Sequence, residues 1–346
     1  MSYTNGLDKP TDYFNTVLWT GNGSTQSITG VGFQPDWIWG KNRSDTNSHW
    51  VNDVIRGVDI RLVPNATDAE DNPGTDIVTS FDSDGFSLGS NTEGNKSANN
   101  YVAWNWLASN TTASNTDGTI TSTVSANTTS GFSIVSYTGT GSASTIGHGL
   151  GSAPKMVICK TRSTTGVWLT WHTGISINGQ IQLQSTDAVY NPGNNLYWNS
   201  TLPTSSVFSV GTSGSVNGSG TDYIAYCFSE KKGFSKFGSY TGNGNADGTF
   251  VYTGFKPAFV IIKDATNAYE WRIYDNKINP FNSMFEIINP NNANAQATSS
   301  HGIDFLSNGF KCRGTTTINT SGANQIYMCF AKSPFVTSTG IPTTAR

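Results

Sequence analysis

Charge is scarce in this chain. Of its 346 residues, 20 are Lys or Arg and 23 are Asp or Glu, which is 12% against roughly 25% in an ordinary soluble domain. The formal net charge of −3 supplies no basic field to gather phosphates, so nucleic acid is not an expected partner. No apolar run approaches the ~18 residues of a membrane span; the longest are stretches such as Met156-Val157-Ile158-Cys159. The opening MSYTNGLDKP lacks the apolar centre of a secretory signal. The four cysteines, at 159, 227, 312 and 329, form no CxxC pair, which removes the common zinc and thioredoxin-type readings. His49, His148, His172 and His301 are the only imidazoles, and none sits in a nucleophile or metal motif. No metal, no cofactor and no catalysis are expected.

What the chain has instead is glycine (37 residues), aromatic side chains (12%) and a repeat. Trp19-Thr20-Gly21-Asn22-Gly23, Tyr137-Thr138-Gly139-Thr140-Gly141 and Tyr240-Thr241-Gly242-Asn243-Gly244 are one pentapeptide written three times. Each leads, 16 or 17 residues on, to a Gly-x-x-Pro turn and an apolar strand that starts after Pro35, Pro154 or Pro257. Ile60-x-Leu62, Ile181-x-Leu183 and Phe285-x-Ile287 follow in matching places. From Phe86, Phe208 and Phe310 to Trp106, Phe228 and Phe330 the interval is 20 residues in every copy. The chain therefore divides into an N-terminal arm (1–15), unit 1 (16–110), a Ser/Thr/Asn-rich linker (111–131), unit 2 (132–232), unit 3 (233–335) and a C-terminal tail (336–346). A period near 100 is too long for a solenoid or propeller blade, so each unit is expected to be a complete small domain.

Within each unit the apolar residues alternate with period 2 between Gly, Pro, Asn and Asp clusters, and no stretch sustains a 3.6 period. The expected fold class is all-β, as three tandem β-sandwich (jelly-roll-like) repeats. In the last strand of each unit one parity is large and apolar and the other mixed, as for a strand packed by one side. The post-proline strand is apolar on both faces and is expected to be central and covered.

Interchange of Trp37, Trp39, Trp104 and Trp106 with Met, Ile, Phe or Tyr in the other copies marks them as core. Trp50 falls one residue later after its proline than Trp168 and Trp271, which leaves either a bulge or His49 substituting in that column. Lys41, Lys160 and Lys263 share one position, either with stems over apolar surface and ammonium groups in water or in contact with a partner carboxylate. Asp53 and Asp275 share a column in which unit 2 has His172, so no acid is kept there. Phe81-Asp82-Ser83-Asp84-Gly85-Phe86 is an ordinary hairpin turn rather than a calcium loop.

Two surfaces are candidates for recognition. Asp68, Glu70, Asp71 and Asp76 make unit 1 acidic, with 11 acidic and 5 basic residues; they either meet a less acidic surface of a neighbouring copy or another protein, or form a merely solvated acidic loop. Units 1 and 2 also share a loop, Thr67-Asp68-Ala69-x-x-Asn72-Pro73-Gly74 and Thr186-Asp187-Ala188-x-x-Asn191-Pro192-Gly193. Variable side chains on a fixed turn make Tyr190, Asn194, Asn195, Tyr197 and Trp198 the glycan-contact candidates, with Tyr197 and Trp198 alternatively packing inward.

The segments LDKPTDYFNT (7–16), WTGNGSTQSITGVGFQPDWIWGKNR (19–43), RGVDIRL (56–62), SFDSDGFSLGS (80–90) and NYVAWNWLAS (100–109) resemble a repeated domain in structural, tail-fibre-like proteins of tailed bacteriophages of marine bacteria and cyanobacteria. The later units resemble degenerate copies. The resemblance implies a virion protein made in the host cytoplasm, serving as head decoration or cement, or as a tail or fibre component. Its implied partners are other capsid or tail proteins, further copies of itself in the particle, and host-surface glycans; the alternative is a carbohydrate-binding adhesin module. The family defines no catalytic residues.

Overall fold

The computed structural model describes residue 7, residues 9–72 and 77–332, and the backbone of 335–336 and 342–343. It is all-β, with several antiparallel sheets. Unit 1 contributes β1 (Phe14–Thr20), β2 (Gln26–Thr29), β3 (Trp37–Asn42), β4 (Trp50–Asp53), β5 (Gly57–Leu62), β6 (Val78–Asp82), β7 (Gly85–Leu88) and β8 (Asn100–Trp106). The segment expected to be a linker contains β9 (Ala113–Asn115) and β10 (Ser122–Asn127). Unit 2 holds β11 (Phe132–Thr138), β12 (Ser144–Gly147), β13 (Met156–Thr161), β14 (Leu169–His172), β15 (Ile181–Gln182), β16 (Val207–Val210) and β17 (Asp222–Phe228). Unit 3 holds β18 (Ser235–Thr241), β19 (Phe250–Tyr252), β20 (Pro257–Asp264), β21 (Arg272–Asp275), β22 (Met284–Ile287), β23 (Ala297–Leu306), β24 (Gly309–Arg313) and β25 (Asn324–Ala331).

The topology repeats. The larger sheets run β1-β8-β3-β4-β5, β11-β17-β13-β14-β15 and β18-β25-β20-β21, and in unit 2 β10 and then β9 extend the sheet beyond β11. The smaller sheets are β2-β7-β6, β12-β16 and β19-β24-β23-β22. Trp106, Phe228 and Phe330 occupy equivalent places at the C-terminal ends of the last strands and pair with Phe14, Phe132 and Ser235. The three prolines start equivalent turns, because the residue after each accepts a backbone hydrogen bond from Val54, Thr173 or Asn276.

The pentapeptide is a clamp. Gly23, Gly141 and Gly244 sit at φ +74°, +75° and +67°, and a Cβ on Gly21, Gly139 or Gly242 would come within 2.4 Å of a backbone oxygen. Only glycine fits such places. Each clamp closes on a buried asparagine: Asn95, Asn217 and Asn319 accept through Oδ1 from the backbone N–H of Asn22, Thr140 and Asn243. These three asparagines lie 11 residues before Trp106, Phe228 and Phe330. The interval was available in the sequence, but it is camouflaged in an Asn-rich chain.

Between the two sheets of each unit lies a separate apolar cluster: Ile38, Trp50, Phe86 and Ala103 in unit 1; Val157, Cys159, Phe208 and Cys227 in unit 2; Val260, Phe310 and Cys329 in unit 3. The large-residue parity of the last strands points the other way. Trp37, Trp39, Trp104 and Trp106 meet Met156, Ile158, Tyr226, Phe228, Phe259, Ile261, Met328 and Phe330 in one core common to all three units. Trp37 stacks on Tyr226 with ring centroids 4.4 Å apart, and Phe14 stacks on Phe330 at 4.6 Å. The last strands are thus packed by both faces, a correction to the one-sided reading. The small parity is the intra-unit face and the large parity the inter-unit face. The units are not separate small domains, since each completes its burial against the other two.

The register of the fifth strand also needs correcting. Val51 pairs with Leu62, Thr170 with Ile181 and Ile273 with Ile288, so Leu62, Ile181 and Ile288 are the equivalent residues. Bulges beside Val51 and Met284 add the residue that defeats alignment by alternation alone.

Candidate functional site: the inter-unit joints and the exposed loops

Three lysines that a sequence reading leaves at the water's edge are fully buried. Each is the penultimate residue of β3, β13 or β20, with its side chain toward the neighbouring unit. Lys160 Nζ donates to the Thr67 carbonyl at 3.3 Å, Lys263 Nζ to that of Thr186 at 3.0 Å, and Lys41 Nζ to that of Ala293 at 3.2 Å. Three residues beyond each acceptor the same loop donates a backbone hydrogen bond: Glu70 to Arg162, Val189 to Ala265 and Gln296 to Arg43. Unit 1 therefore reaches unit 2, unit 2 reaches unit 3, and unit 3 returns to unit 1. The joints close a ring with pseudo-threefold symmetry inside one chain. Loss of hydration pushes all three ammonium groups down to about 8. The partners are carbonyl oxygens, not the carboxylate considered from sequence.

A second set of joints settles the tryptophan column. Trp168 Nε1 donates to the Val63 carbonyl at 2.9 Å and Trp271 Nε1 to that of Gln182 at 3.0 Å. In unit 1 the place is taken by His49, whose Nε2 lies 3.0 Å from the Asn289 carbonyl while Nδ1 accepts from Trp39 Nε1. Trp50 instead faces its own unit's cluster. Its ring occupies the space above Gly40, where a Cβ would lie 2.0 Å from the indole. The equivalent cross-strand pair in unit 2 is Cys159 and Leu169, and in unit 3 Ile262 and Arg272. Volume is exchanged across the pair.

The Asp53/His172/Asp275 column forms the third set. Tyr226 Oη donates to Asp53 Oδ2 at 2.8 Å, and Thr16 Oγ1 and Trp104 Nε1 donate to Asp275 Oδ2 at 2.7 and 3.0 Å. Unit 3 has Met328 where Trp104 and Tyr226 stand in the other units, and Met donates nothing. His172 accordingly pairs with a backbone oxygen, Nε2 lying 3.1 Å from the Tyr327 carbonyl. Burial pushes His49 down to about 3 and His172 to about 4, so both are neutral imidazoles. Asp53 also carries the buried guanidinium of Arg56 at 2.6 Å. Burial opposes the Arg56 charge and the Asp53 carboxylate more than offsets it, leaving the guanidinium firmly charged.

The acidic candidates separate. Glu70 forms a two-pronged pair with Arg162 of unit 2, at 2.8 and 3.0 Å, so its less acidic partner belongs to the same chain. Asp71 is held by Arg61 of its own unit. Asp68 is exposed, and Asp76 lies outside the described residues, as do Pro73 and Gly74 of the shared turn. Of the glycan candidates, Tyr190 is 55% exposed and Trp198 is buried among Trp171 and Phe208. Asn194 and Asn195 are exposed and Tyr197 is half-buried against the same cluster. The structure leaves Tyr190, Asn194 and Asn195 exposed, packs Tyr197 partly inward and takes Trp198 into the core. Asn191 Oδ1 accepts from Gly193 N at 3.0 Å, which fixes the turn as expected.

Cys159, Cys227, Cys312 and Cys329 are buried free thiols. Among the described residues no group of three or more His, Cys, Asp or Glu side chains is arranged to hold a metal ion, and no helix is long and apolar enough to cross a membrane. Residues 9–334 match a family model described as a domain of unknown function, DUF7483. That single match runs through all three units. No curated protein and no solved structure matches the chain.

Proposed function

We propose that this chain, which belongs to the DUF7483 family, is a non-enzymatic structural protein of a tailed-phage particle that acts through protein–protein contacts. The observation that carries the reading is the closed ring of joints. It makes one polypeptide behave as a preassembled trimer, a rigid three-sided scaffold suited to a fixed place in an assembly. We read its parts as three jelly-roll-like sandwiches fused about one core. The side chains best equipped for acid–base chemistry support the non-enzymatic reading, because Lys41, Lys160, Lys263, His49 and His172 are buried on backbone carbonyls. The sequence resemblance of segments 7–16 and 19–43 supplies the particle context. Quantitative mass spectrometry of purified particles from a phage that encodes the chain tests the proposal. Hundreds of copies per particle mark a decoration protein and a handful to a few dozen a tail component; absence from the particle overturns the reading.

The adhesin alternative rests on Tyr190, which is 55% exposed in the same loop as the exposed amides of Asn194 and Asn195. Glycan-array binding abolished by Tyr190→Ala in a folded protein would favour it.

A further inference from the structure

Unit 2 has a cover that unit 3 lacks among the described residues. The segment before β11 runs in parallel along the outer edge of β12: Ile120 N donates to the Thr145 carbonyl at 3.0 Å, Thr119 N to Thr145 Oγ1 at 3.0 Å, and Ser122 Oγ to the Gly147 carbonyl at 2.8 Å. Ile120 and Val124 enter the intra-unit cluster and seal its open side. The corresponding strand of unit 3 is β19, where Phe250, Val251 and Tyr252 stand at the positions of Thr145, Ile146 and Gly147; Val251 pairs with Phe310 as Ile146 pairs with Phe208. Units 2 and 3 are joined directly, residues 229–234 separating β17 from β18, so no segment between them is left to cover this edge.

β19 is the edge strand of its sheet among the described residues. Cys312 N bonds to the Thr249 carbonyl, which sets the ladder's phase and directs the backbone N–H and C=O of Phe250 and Tyr252 toward the free side. Both side chains are exposed, Phe250 at 43% and Tyr252 at 65%, and the Phe250 ring lies over Gly309. The charges of the adjoining strand β24 are already paired: Lys311 and Arg313 hold Asp247 at 2.7 and 2.9 Å, and Arg313 also holds Asp304. The edge is therefore neutral, as is the covering stretch Gly118–Asn127, which contains no charged residue. Unit 1 presents Ser27 and Thr29 at the same positions and offers no apolar surface there.

We propose that β19 is a docking edge for an extended, uncharged segment of another polypeptide chain, Thr/Ser-rich with a β-branched aliphatic residue, which adds in parallel as Thr119–Ser122 adds to β12. The inference stands on the comparison of units 2 and 3 and does not depend on the particle reading. The probe is a fluorescein-labelled peptide with the sequence of Gly118–Asn127, titrated into the full chain. Expected are a saturable rise in anisotropy and slowed amide exchange over residues 249–253. Phe250→Pro, which removes an outward N–H at an edge that tolerates proline, should weaken binding at least tenfold. Tyr252→Ser, which leaves the backbone intact, should weaken it severalfold, so a folding defect in the first variant does not decide the result. No binding, undiminished binding to both variants, or protection over 143–147 in place of 249–253 would overturn the proposal.

Discussion

The Lys41 ammonium of the first unit donates a hydrogen bond to the Ala293 carbonyl of the third, 252 residues away. This contact turns three consecutive repeats into a ring, because the two equivalent contacts join neighbours in sequence and this one joins the ends. A buried ammonium is costly unless it is well bonded. Lys41 also donates to the Asn42 carbonyl, Lys160 to that of Thr161 and Lys263 to those of Asp264 and Asn267, so each head group bridges at least two backbone acceptors.

The lysines should betray their burial by titration. Side-chain NMR should show Lys41, Lys160 and Lys263 losing their protons near pH 8. The folded value lies below the ~10.4 of an unfolded lysine, so from pH 8 to 10.4 the unfolded chain holds protons that the native state lacks. Stability from these groups therefore rises with pH across that window. Lys160→Met should abolish one third of the effect, and the stability gap between wild type and variant should widen as the pH is raised.

Acidification should act through the imidazoles. His49 and His172 stay neutral in the fold to about pH 3 and 4, whereas an unfolded histidine takes a proton near 6.5. Stability from both is therefore lost as pH falls from about 6.5 to 4. Asp36, raised by burial to about 6, and Asp275, also raised by burial, act in the opposite sense. Urea midpoints at pH 7.5 and 5 isolate the histidine part: His172→Gln should lose less stability than wild type over that interval.

The two ion pairs at the joint between units 1 and 2 should differ in cost. Asp53 and Arg56 have fully buried side chains, and Asp53→Ala strands a buried guanidinium, at about 3–5 kcal/mol. Glu70 and Arg162 are each 22% exposed, and Glu70→Ala should cost about 1 kcal/mol or less. Equal losses in denaturant melts would contradict this assignment.

Gly40 and Trp50 should behave as a coupled pair. Gly40→Ala drives a Cβ into the indole and should cost about 1–3 kcal/mol as overpacking. Combining Gly40→Cys with Trp50→Leu reproduces the Cys159 and Leu169 pair of unit 2 and should be less destabilising than the sum of the two single changes. Additivity within about 0.5 kcal/mol would show that the two residues do not compete for one space.

Much of this was legible in the sequence, and what was not has a physical reason. The constant interval to Trp106, Phe228 and Phe330 located equivalent core positions, and the two apolar faces of the post-proline strand showed that it is covered. Alternation reports that a face is buried but not what buries it, so the common core was invisible as such. His49 replaces a tryptophan because the place requires a ring nitrogen facing a carbonyl, a requirement that composition conceals. The lysines read as surface residues because their acceptors are backbone atoms, which leave no trace in side-chain identity. Residues 111–131 read as a linker for want of large apolar residues, yet Ile120 and Val124 suffice to bring them onto unit 2.

The central claim, that the three units form one ring with one core, is tested most directly by native-state hydrogen exchange along a denaturant series. The most protected amides of β3, β13 and β20 should converge on one opening free energy with one denaturant dependence, and Lys41→Met should lower all three together. Three different limiting free energies, with Lys41→Met affecting only units 1 and 3, would show a string of separate domains and contradict the ring.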